Sequence, residues 1–308
     1  MVLVERFKGD RDPVENLNLS RYTELGKDCY LFLGDAYNDV FRDNYFDKKR
    51  VFLSLEEPNF CTDADTAHAK LSNGFGSTTV NGRKVQDRPP EEILTICPYT
   101  AECFDNRTFV FFPFNDEFIP KSDEKIYDVI YTGSHPHNTG WGNVMDVMSK
   151  YNHRYVYFTQ STHVTNVGSS YQEKMDLYGQ SKIAVCHGLA TAWNENVSRY
   201  RAFPKSDENE AFKSLETNLL PQFKSRVMEA AFSKCLILHY KDEWNVIEKW
   251  FDEGTEFLFF STSEELDEII KDVLDNPDKY QPVIDSAYEK AINNYTTKHF
   301  VEKYLSNE

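Results

Sequence analysis

The chain has 308 residues, of which 40% are hydrophobic and 15% aromatic, as expected of a globular protein with about two domains. The formal net charge of −16 makes sequence-independent binding to nucleic acid or to an anionic membrane unfavourable, because both need a cationic surface. No apolar run approaches the roughly 20 residues that span a bilayer, so we expect no transmembrane segment.

The cysteines and the start of the chain indicate a compartment. The six cysteines form no C-x-x-C pair and lie mostly in or beside apolar runs. The first residues lack the apolar core of a signal peptide. We therefore expect a cytoplasmic protein with reduced, buried thiols and without a structural zinc site.

Short apolar runs in the first 120 residues predict strands of an α/β layer. Each run is followed by polar or turn residues, as in layers whose strand ends carry a site. The predicted strands are 30–33, 50–55, 93–97 and 108–112. Residues 73–90, rich in Gly, Asn and charge, predict a surface loop. The pattern breaks around residues 118–124, and we place a domain boundary after residue 121.

From residue 122 onward strands and helices alternate, which predicts a parallel, doubly wound sheet. The predicted strands are 127–131, 155–158, 183–186, 236–238 and 257–260, and the predicted helices are 143–150, 170–178 and 222–233. The first of these strands runs directly into Thr132-Gly133-Ser134. Residues 263–276 and 282–304 are strongly helical. A core-facing stripe is predicted at Leu266, Ile269, Ile270, Val273 and Leu274.

The helix predicted at 222–233 carries the chemistry of this half. Pro221 suits a first helical turn, where its missing N–H has no helical partner to lose. Lys224 and Arg226 add full charge to a helix N-terminus that already favours anions, so a diphosphate is the expected ligand. Glu229, one turn deeper, is placed to accept hydrogen bonds from two ribose hydroxyls. The alternative is a solvent-exposed Arg226–Glu229 pair, worth only about 0.2–0.5 kcal/mol.

Two segments, FKSRVMEAAFSKCLILHY and FDEGTEFLFFSTSEELDEIIKDVLDNPDKY, resemble the donor-binding half of GT-B glycosyltransferases of the group-1 type, with its K-x-R-x-x-E-A core. The strand and turn YDVIYTGS is similar to the first strand and phosphate-facing turn of the same half. The resemblance implies that Glu229 holds the nucleotide ribose and that Lys224 and Arg226 face the diphosphate. It also implies that the backbone at Gly133, followed by Ser134, approaches the nucleotide sugar.

The resemblance further implies an α/β fold of two Rossmann-like domains with a cleft between them. Residues 1–121 are then the acceptor-binding domain, and residues 122–285 are the domain that binds the nucleotide sugar. Residues 286–308 form a final helix that packs back on the first domain, as in the family. Small enzymes of this kind resemble those that build bacterial or viral surface polysaccharides.

The chain departs from the family pattern at two positions. Retaining enzymes of the group have a second Glu eight positions before the ribose Glu, and here that position is Pro221. The glycine that usually follows the helix is replaced by Lys234, so we expect the helix to end differently. The stereochemical outcome therefore stays open. Arg201, in the loop before the helix, is a further candidate for phosphate binding, with a solvated loop charge as the alternative.

Glycosyl transfer by direct displacement needs a base for the acceptor hydroxyl and positive charge for the departing diphosphate. Glu56 and Glu57 come directly after the strand at 50–55, and adjacent acids raise each other's pKa when partly buried. We favour Glu57 as the base, with Glu56 and Asp35 as rivals. Asp35 follows the strand at 30–33. The alternative for each is an exposed acid of an acidic chain.

A D-x-D triplet at Asp63-Ala64-Asp65 resembles the metal-binding motif of GT-A enzymes, but such triplets arise by chance among 50 acids. We therefore predict a metal-independent glycosyltransferase, without a cofactor, that moves a sugar from a UDP- or GDP-sugar to a hydroxyl of a glycan or glycoconjugate. The alternatives are a non-catalytic sugar- or nucleotide-binding module and a GT-A-type metal-dependent transferase. A Rossmann dehydrogenase would need a G-x-G-x-x-G after its first strand, and the sequence has none.

Overall fold

The structure is a computed structural model of the chain. It describes residues 1–6, 15–34, 45–55, 78–80, 83–85, 90–103, 106–122, 124–136, 140–191 and 219–306. The chain divides into two compact units. The first comprises Met1–Phe112, Ala190–Gln222 and Thr297–Glu308, and the second comprises Pro113–Leu189 and Phe223–Thr296.

The limits of these units differ from the sequence-based boundaries after residues 121 and 285. Residues 113–121 fall in the second unit, because Phe114 stacks on Phe232 with ring centroids 4.1 Å apart and its backbone bridges Thr296. Within the segment 286–308, only residues from 297 onward fall in the first unit. Contacts between residues so far apart in the chain leave no trace in the local sequence pattern.

The first unit is built on a parallel sheet whose central strands are largely buried. The strands are β1 (Val2–Arg6), β2 (Cys29–Gly34), β3 (Lys49–Ser54), β4 (Thr78–Val80), β5 (Arg83–Val85), β6 (Glu92–Thr95) and β7 (Arg107–Phe109). The parallel sheet has the order β1-β2-β3-β6-β7, and helix α1 (Pro98–Cys103) follows β6. Leu31, Phe32 and Leu33 are all buried although successive side chains point to opposite faces, so both faces are covered. Within the loop predicted at 73–90, β4 and β5 form an antiparallel pair.

The second unit is built on six parallel strands whose order reverses along the chain. The strands of the remaining chain are β8 (Tyr127–Thr132), β9 (His153–Tyr157), β10 (Asn166–Val167), β11 (Ser181–Cys186), β12 (Leu189–Thr191), β13 (Leu219–Pro221), β14 (Leu236–Tyr240) and β15 (Leu258–Phe260). The sheet has the order β10-β9-β8-β11-β14-β15, and β12 pairs with β13. The chain thus extends the sheet from β8 in one direction and then from β11 in the other. The predicted doubly wound parallel sheet is confirmed.

Helices alternate with these strands. They are α2 (Trp141–Met148), α3 (Tyr171–Gly179), α4 (Ser225–Phe232), α5 (Ser263–Asp275), α6 (Pro277–Asn294) and α7 (Thr297–Phe300). Ser170 and Glu173 form a capping box at the start of α3. The stripe predicted on α5 is buried at Leu266, Ile270 and Val273. None of the helices in the described part of the chain is both long and apolar enough to cross a membrane.

Candidate functional site

Two neighbouring strands of the second sheet end where the strand order reverses. β8 ends at Thr132 and is followed by Gly133 and Ser134, while β11 ends at Cys186 and is followed by His187. In open α/β sheets, ligands bind outside the carboxyl ends of the strands at such a reversal. The turn that we predict to bind the donor therefore lies at the edge of the sheet where a ligand is expected.

Helix α4 brings the predicted cationic and acidic side chains to this edge. It begins at Ser225 rather than at residue 222, and Pro221 lies in β13, so the expectation that this proline starts the helix is wrong. The fixed φ of proline suits an extended strand end as well as a first helical turn. Lys224 precedes the helix in an extended conformation, and its side chain does not cap the helix. Every residue of 226–232 is buried, so the helix has no solvent-exposed face in that stretch.

The end of α4 also differs from the sequence-based expectation. Lys234 has φ +52°, the left-handed conformation that usually takes glycine. The N–H of Lys234 donates to the carbonyl of Ala231, and the N–H of Cys235 donates to the carbonyl of Ala230. These two bonds form a Schellman motif. The helix therefore ends as a glycine-terminated helix would, and lysine adopts the strained conformation.

Arg226 is a buried cation whose partners are neutral. Its side chain is 8% exposed, and its Nη1 lies 2.9 Å from Tyr131 Oη and 2.9 Å from His187 Nε2. Its Nη2 donates to the Ser134 carbonyl over 3.4 Å. Among the described residues no carboxylate pairs with it. Because an uncompensated buried charge costs several kcal/mol, this arrangement favours an anionic ligand.

Gly133 has a backbone conformation that favours glycine, and a side chain there would displace the Arg226 guanidinium. Its φ is +81°, and a Cβ at this position would lie 2.9 Å from Arg226 Nη2. Any other residue would therefore combine backbone strain with a collision against the guanidinium. The glycine thus lets the guanidinium lie against the turn after β8.

Glu229 is a buried carboxylate with one oxygen paired and one oxygen unpaired. It is 1% exposed, and its Oε1 lies 2.6 Å from Lys174 Nζ of α3. Its Oε2 is buried without a hydrogen-bond partner. The interpretation of Arg226 and Glu229 as a solvent-exposed pair is therefore wrong, because both are buried and each has other partners. Burial and the Glu229 carboxylate raise the pKa of Tyr171 well above its usual value, so that phenol keeps its proton.

Tyr131 and His187 complete the surroundings of Arg226. Tyr131 Oη lies 2.6 Å from the Ser134 carbonyl and 3.0 Å from His187 Nε2. Burial raises the pKa of Tyr131, and burial with the nearby Arg226 and Lys224 charges holds the pKa of His187 well below its usual range. Tyr131 is therefore protonated and His187 neutral. The only sequence signal is that each stands at or just after the carboxyl end of a strand.

Several predicted site residues lie outside the described part of the chain. They are the candidate bases Asp35, Glu56 and Glu57, the phosphate candidate Arg201, and the D-x-D acids Asp63 and Asp65. Their roles stay predictions. Within the described ranges, His, Cys, Asp and Glu side chains form no cluster of three or more that would suit a metal ion.

Comparisons with known proteins agree with this architecture. The family model described as "Glycosyl transferase-like" matches residues 137–306. No curated protein matches the sequence. Similar solved structures include a variant of S. aureus TarM in complex with fondaparinux, alpha-GlcNAc-glycerol and UDP (TM-score 0.55, 11% identity, 93% of this chain and 57% of that one). Others are Anabaena HepE with UDP and glucose (0.56, 9%, 89% and 76%) and AviGT4, which takes part in avilamycin A biosynthesis (0.52, 10%, 93% and 75%).

These matches define the fold and the family. At 9–12% identity the structural likeness shows the fold alone, and this fold is the predicted GT-B type with two Rossmann-like domains. The chain spans just over half the length of TarM. The family model covers more than half of this chain and includes α4 with its buried Arg226 and Glu229. The chain therefore belongs to the glycosyl transferase-like family.

Proposed function

We propose that this chain is a glycosyltransferase that moves a sugar from a UDP- or GDP-sugar to a hydroxyl of a glycan or glycoconjugate, without a metal ion. The observation that carries the proposal is the buried Arg226, which has only neutral partners among the described residues and lies at the reversal of the second sheet. A diphosphate supplies the negative charge that this position lacks. UDP in complexes of TarM and HepE, which share the fold, supports a nucleotide diphosphate as ligand.

Each part of the nucleotide-sugar donor has residues suited to bind it. Arg226, Lys224 and the first N–H groups of α4 bind the diphosphate, because cations and helix N-termini both favour phosphate. The turn at Gly133 and Ser134 lies against the same phosphates. Glu229 Oε2, buried without a protein partner, accepts hydrogen bonds from the ribose hydroxyls while Lys174 holds Oε1. A buried acceptor without a donor is costly, and the ribose relieves that cost.

The reaction breaks the bond between the anomeric carbon of the sugar and the β-phosphate oxygen. The acceptor oxygen forms the new bond to the anomeric carbon, and its proton passes to a base. Glu57 is the proposed base, with Glu56 and Asp35 as rivals, and Arg201 adds charge near the phosphates. The cations Arg226 and Lys224 stabilise the leaving diphosphate, which is the role that a metal has in other transferases.

We place the protein in the cytoplasm. The four cysteines whose side chains the structure describes, Cys29, Cys97, Cys186 and Cys235, are all buried free thiols. Such thiols persist in a reducing compartment.

Turnover tests the proposal. Purified protein is incubated with a UDP- or GDP-sugar and a panel of glycan acceptors, with and without EDTA, and release of the nucleotide is followed. Full activity in EDTA, lost in Glu57→Gln, supports the metal-independent mechanism. Loss in EDTA that is restored by a divalent cation favours a metal-dependent transferase. Binding of the nucleotide without turnover on any acceptor favours a binding module.

A further inference from the structure

The N–H groups of Arg226 outnumber the acceptors that the described residues supply. A guanidinium has five N–H groups, and among the described residues Arg226 has only Tyr131 Oη at 2.9 Å and the Ser134 carbonyl at 3.4 Å as clear acceptors. Tyr131 Oη is 2.6 Å from the same carbonyl. Since Arg226 always donates, the tyrosine oxygen accepts from it and the phenolic hydrogen points to Ser134. One chain of hydrogen bonds therefore runs from Arg226 through Tyr131 to the turn after β8.

His187 is prevented from accepting a bond from Arg226. The backbone N–H of Leu189 donates to His187 Nδ1 over 3.1 Å, so the single proton of the neutral ring is on Nε2. Nε2 faces Arg226 Nη1 at 2.9 Å, and two N–H groups cannot bond to each other. The Nε2–H instead has the Tyr131 oxygen at 3.0 Å and the Ser134 carbonyl at 3.3 Å as acceptors. The His187 ring therefore provides no acceptor for the N–H groups of Arg226.

We propose that Tyr131 and His187 are positioning residues for the diphosphate. Tyr131 links Arg226 by hydrogen bonds to the turn at Ser134. His187, whose proton is kept on Nε2 by the bond from Leu189, offers the guanidinium no further acceptor. This inference rests on the proposed function, because it assigns these two residues to the same donor site. Each of them lies 2.9 Å from Arg226 Nη1, so both are assigned to act through Arg226 rather than by touching the ligand.

The tyrosine part is tested by calorimetric titration with UDP, pyrophosphate and uridine. Tyr131→Phe removes the hydroxyl and keeps the ring, and we expect about tenfold weaker binding of UDP and pyrophosphate, because the guanidinium is no longer held toward the turn at Ser134. Uridine, which has no phosphate, is bound equally well by both proteins. The matched control is Tyr155→Phe, since Tyr155 is buried in the same cluster, with its ring centroid 5.2 Å from that of Tyr131.

A double-mutant cycle with Arg226→Met separates positioning from general damage. We expect Tyr131→Phe to add nothing once Arg226 is gone. An equal loss in both backgrounds, or a loss for uridine as large as for UDP, overturns the positioning role. If wild-type protein binds neither UDP nor pyrophosphate, the proposed function itself fails, and that outcome is distinct.

The histidine part is tested by a pair of variants and by pH. In His187→Asn the side-chain oxygen still accepts from Leu189, but no group reaches Arg226. In His187→Gln the amide oxygen reaches Arg226 and satisfies it, so we expect the larger loss of UDP affinity, about tenfold. A glutamine variant that binds UDP as tightly as wild type contradicts the proposal.

The pH dependence distinguishes a neutral ring from a titrating one. The groups facing His187 are the cations Arg226 and Lys224, the neighbouring His239, and the Tyr131 hydroxyl. All the charged neighbours oppose protonation of His187. The ratio of UDP affinities between wild type and His187→Asn is therefore expected to stay constant as pH falls below the usual pKa of histidine, about 6.5. A ratio that grows as pH falls shows a protonated ring and overturns this assignment.

Discussion

Replacing Arg226 with methionine is expected to stabilise the ligand-free protein while abolishing donor binding. Methionine has a similar length and fills the same buried space without charge. Burying the cation costs several kcal/mol. Its hydrogen bond to Tyr131 and its longer one to Ser134 together offset about 1.5–3 kcal/mol of that cost. Tyr131 still donates to Ser134 in the variant, so no new buried donor is left without a partner. We therefore expect Arg226→Met to raise the free energy of unfolding by about 1–3 kcal/mol.

The assay is urea denaturation followed by tryptophan fluorescence. Trp141, Trp244 and Trp250 all lie in the second unit, so the signal reports mainly on the unit that contains Arg226. In parallel, titration with UDP is expected to show an affinity at least about 30-fold weaker, because charged hydrogen bonds to phosphate are lost. Stability and ligand affinity thus change in opposite directions.

The control is a buried arginine that does have a carboxylate. Arg50 is 2% exposed, and its Nη2 lies 2.7 Å from Glu91 Oε1. Arg50→Met is expected to destabilise the protein by about 1–3 kcal/mol, a range that allows for the partly exposed Glu91. Because Arg50 lies in the first unit, unfolding of this variant is followed by far-UV circular dichroism. If Arg226→Met also destabilises the protein by about 2 kcal/mol or more, the reasoning that the Arg226 charge is not offset by its protein partners is refuted.

Three further results are expected. Lys234→Gly raises the free energy of unfolding by about 0.5–1 kcal/mol in thermal or urea melts, because glycine adopts φ +52° without strain; an unchanged or lower stability contradicts the Schellman assignment. Gly133→Ala weakens UDP binding at least about tenfold and also destabilises the protein, whereas Gly140→Ala, at φ +72° with nothing within 4 Å of a new Cβ, shows only the backbone cost and binds UDP normally. Burial lowers the pKa of His239 to about 3, so this histidine takes up a proton only in the unfolded chain, and the free energy of unfolding falls as pH drops below about 6.5, by about 2 kcal/mol at pH 5. His239→Gln is expected to remove this part of the dependence of the free energy of unfolding on pH, and an identical dependence in the variant contradicts the assignment.

The sheet of the second unit was predictable because its strands are nearly unbroken apolar runs separated by helical spacing. The runs at 127–131, 183–186 and 236–238 all became parallel strands. A strand that is buried on both faces can be recognised from its own sequence, because nearly all of its residues are apolar.

The ends of α4 were not predictable from local rules. Proline is compatible with both a helix start and a strand end, so Pro221 alone did not decide between them. At Lys234 the tertiary packing imposes a conformation that the residue itself disfavours. In both cases the surroundings of the helix, rather than its sequence, set the boundary.

The surroundings of Arg226 depend on residues far apart in the chain. Tyr131, His187 and Arg226 meet only because β8 and β11 become neighbours and α4 packs beside them. The sequence indicated that Arg226 and Glu229 were a turn apart, but not that both would be buried. It therefore pointed to the helix and its charged residues, but not to the packing of Tyr131 and His187 against the arginine.

The central claim, that Arg226 at the start of α4 binds the diphosphate of a nucleotide sugar, is tested most directly by a crystal structure with UDP bound. The account predicts phosphate oxygens about 2.9 Å from the guanidinium nitrogens of Arg226 and ribose hydroxyls at a similar distance from Glu229 Oε2. UDP bound elsewhere, with Arg226 still directed only to Tyr131 and Ser134, would contradict it.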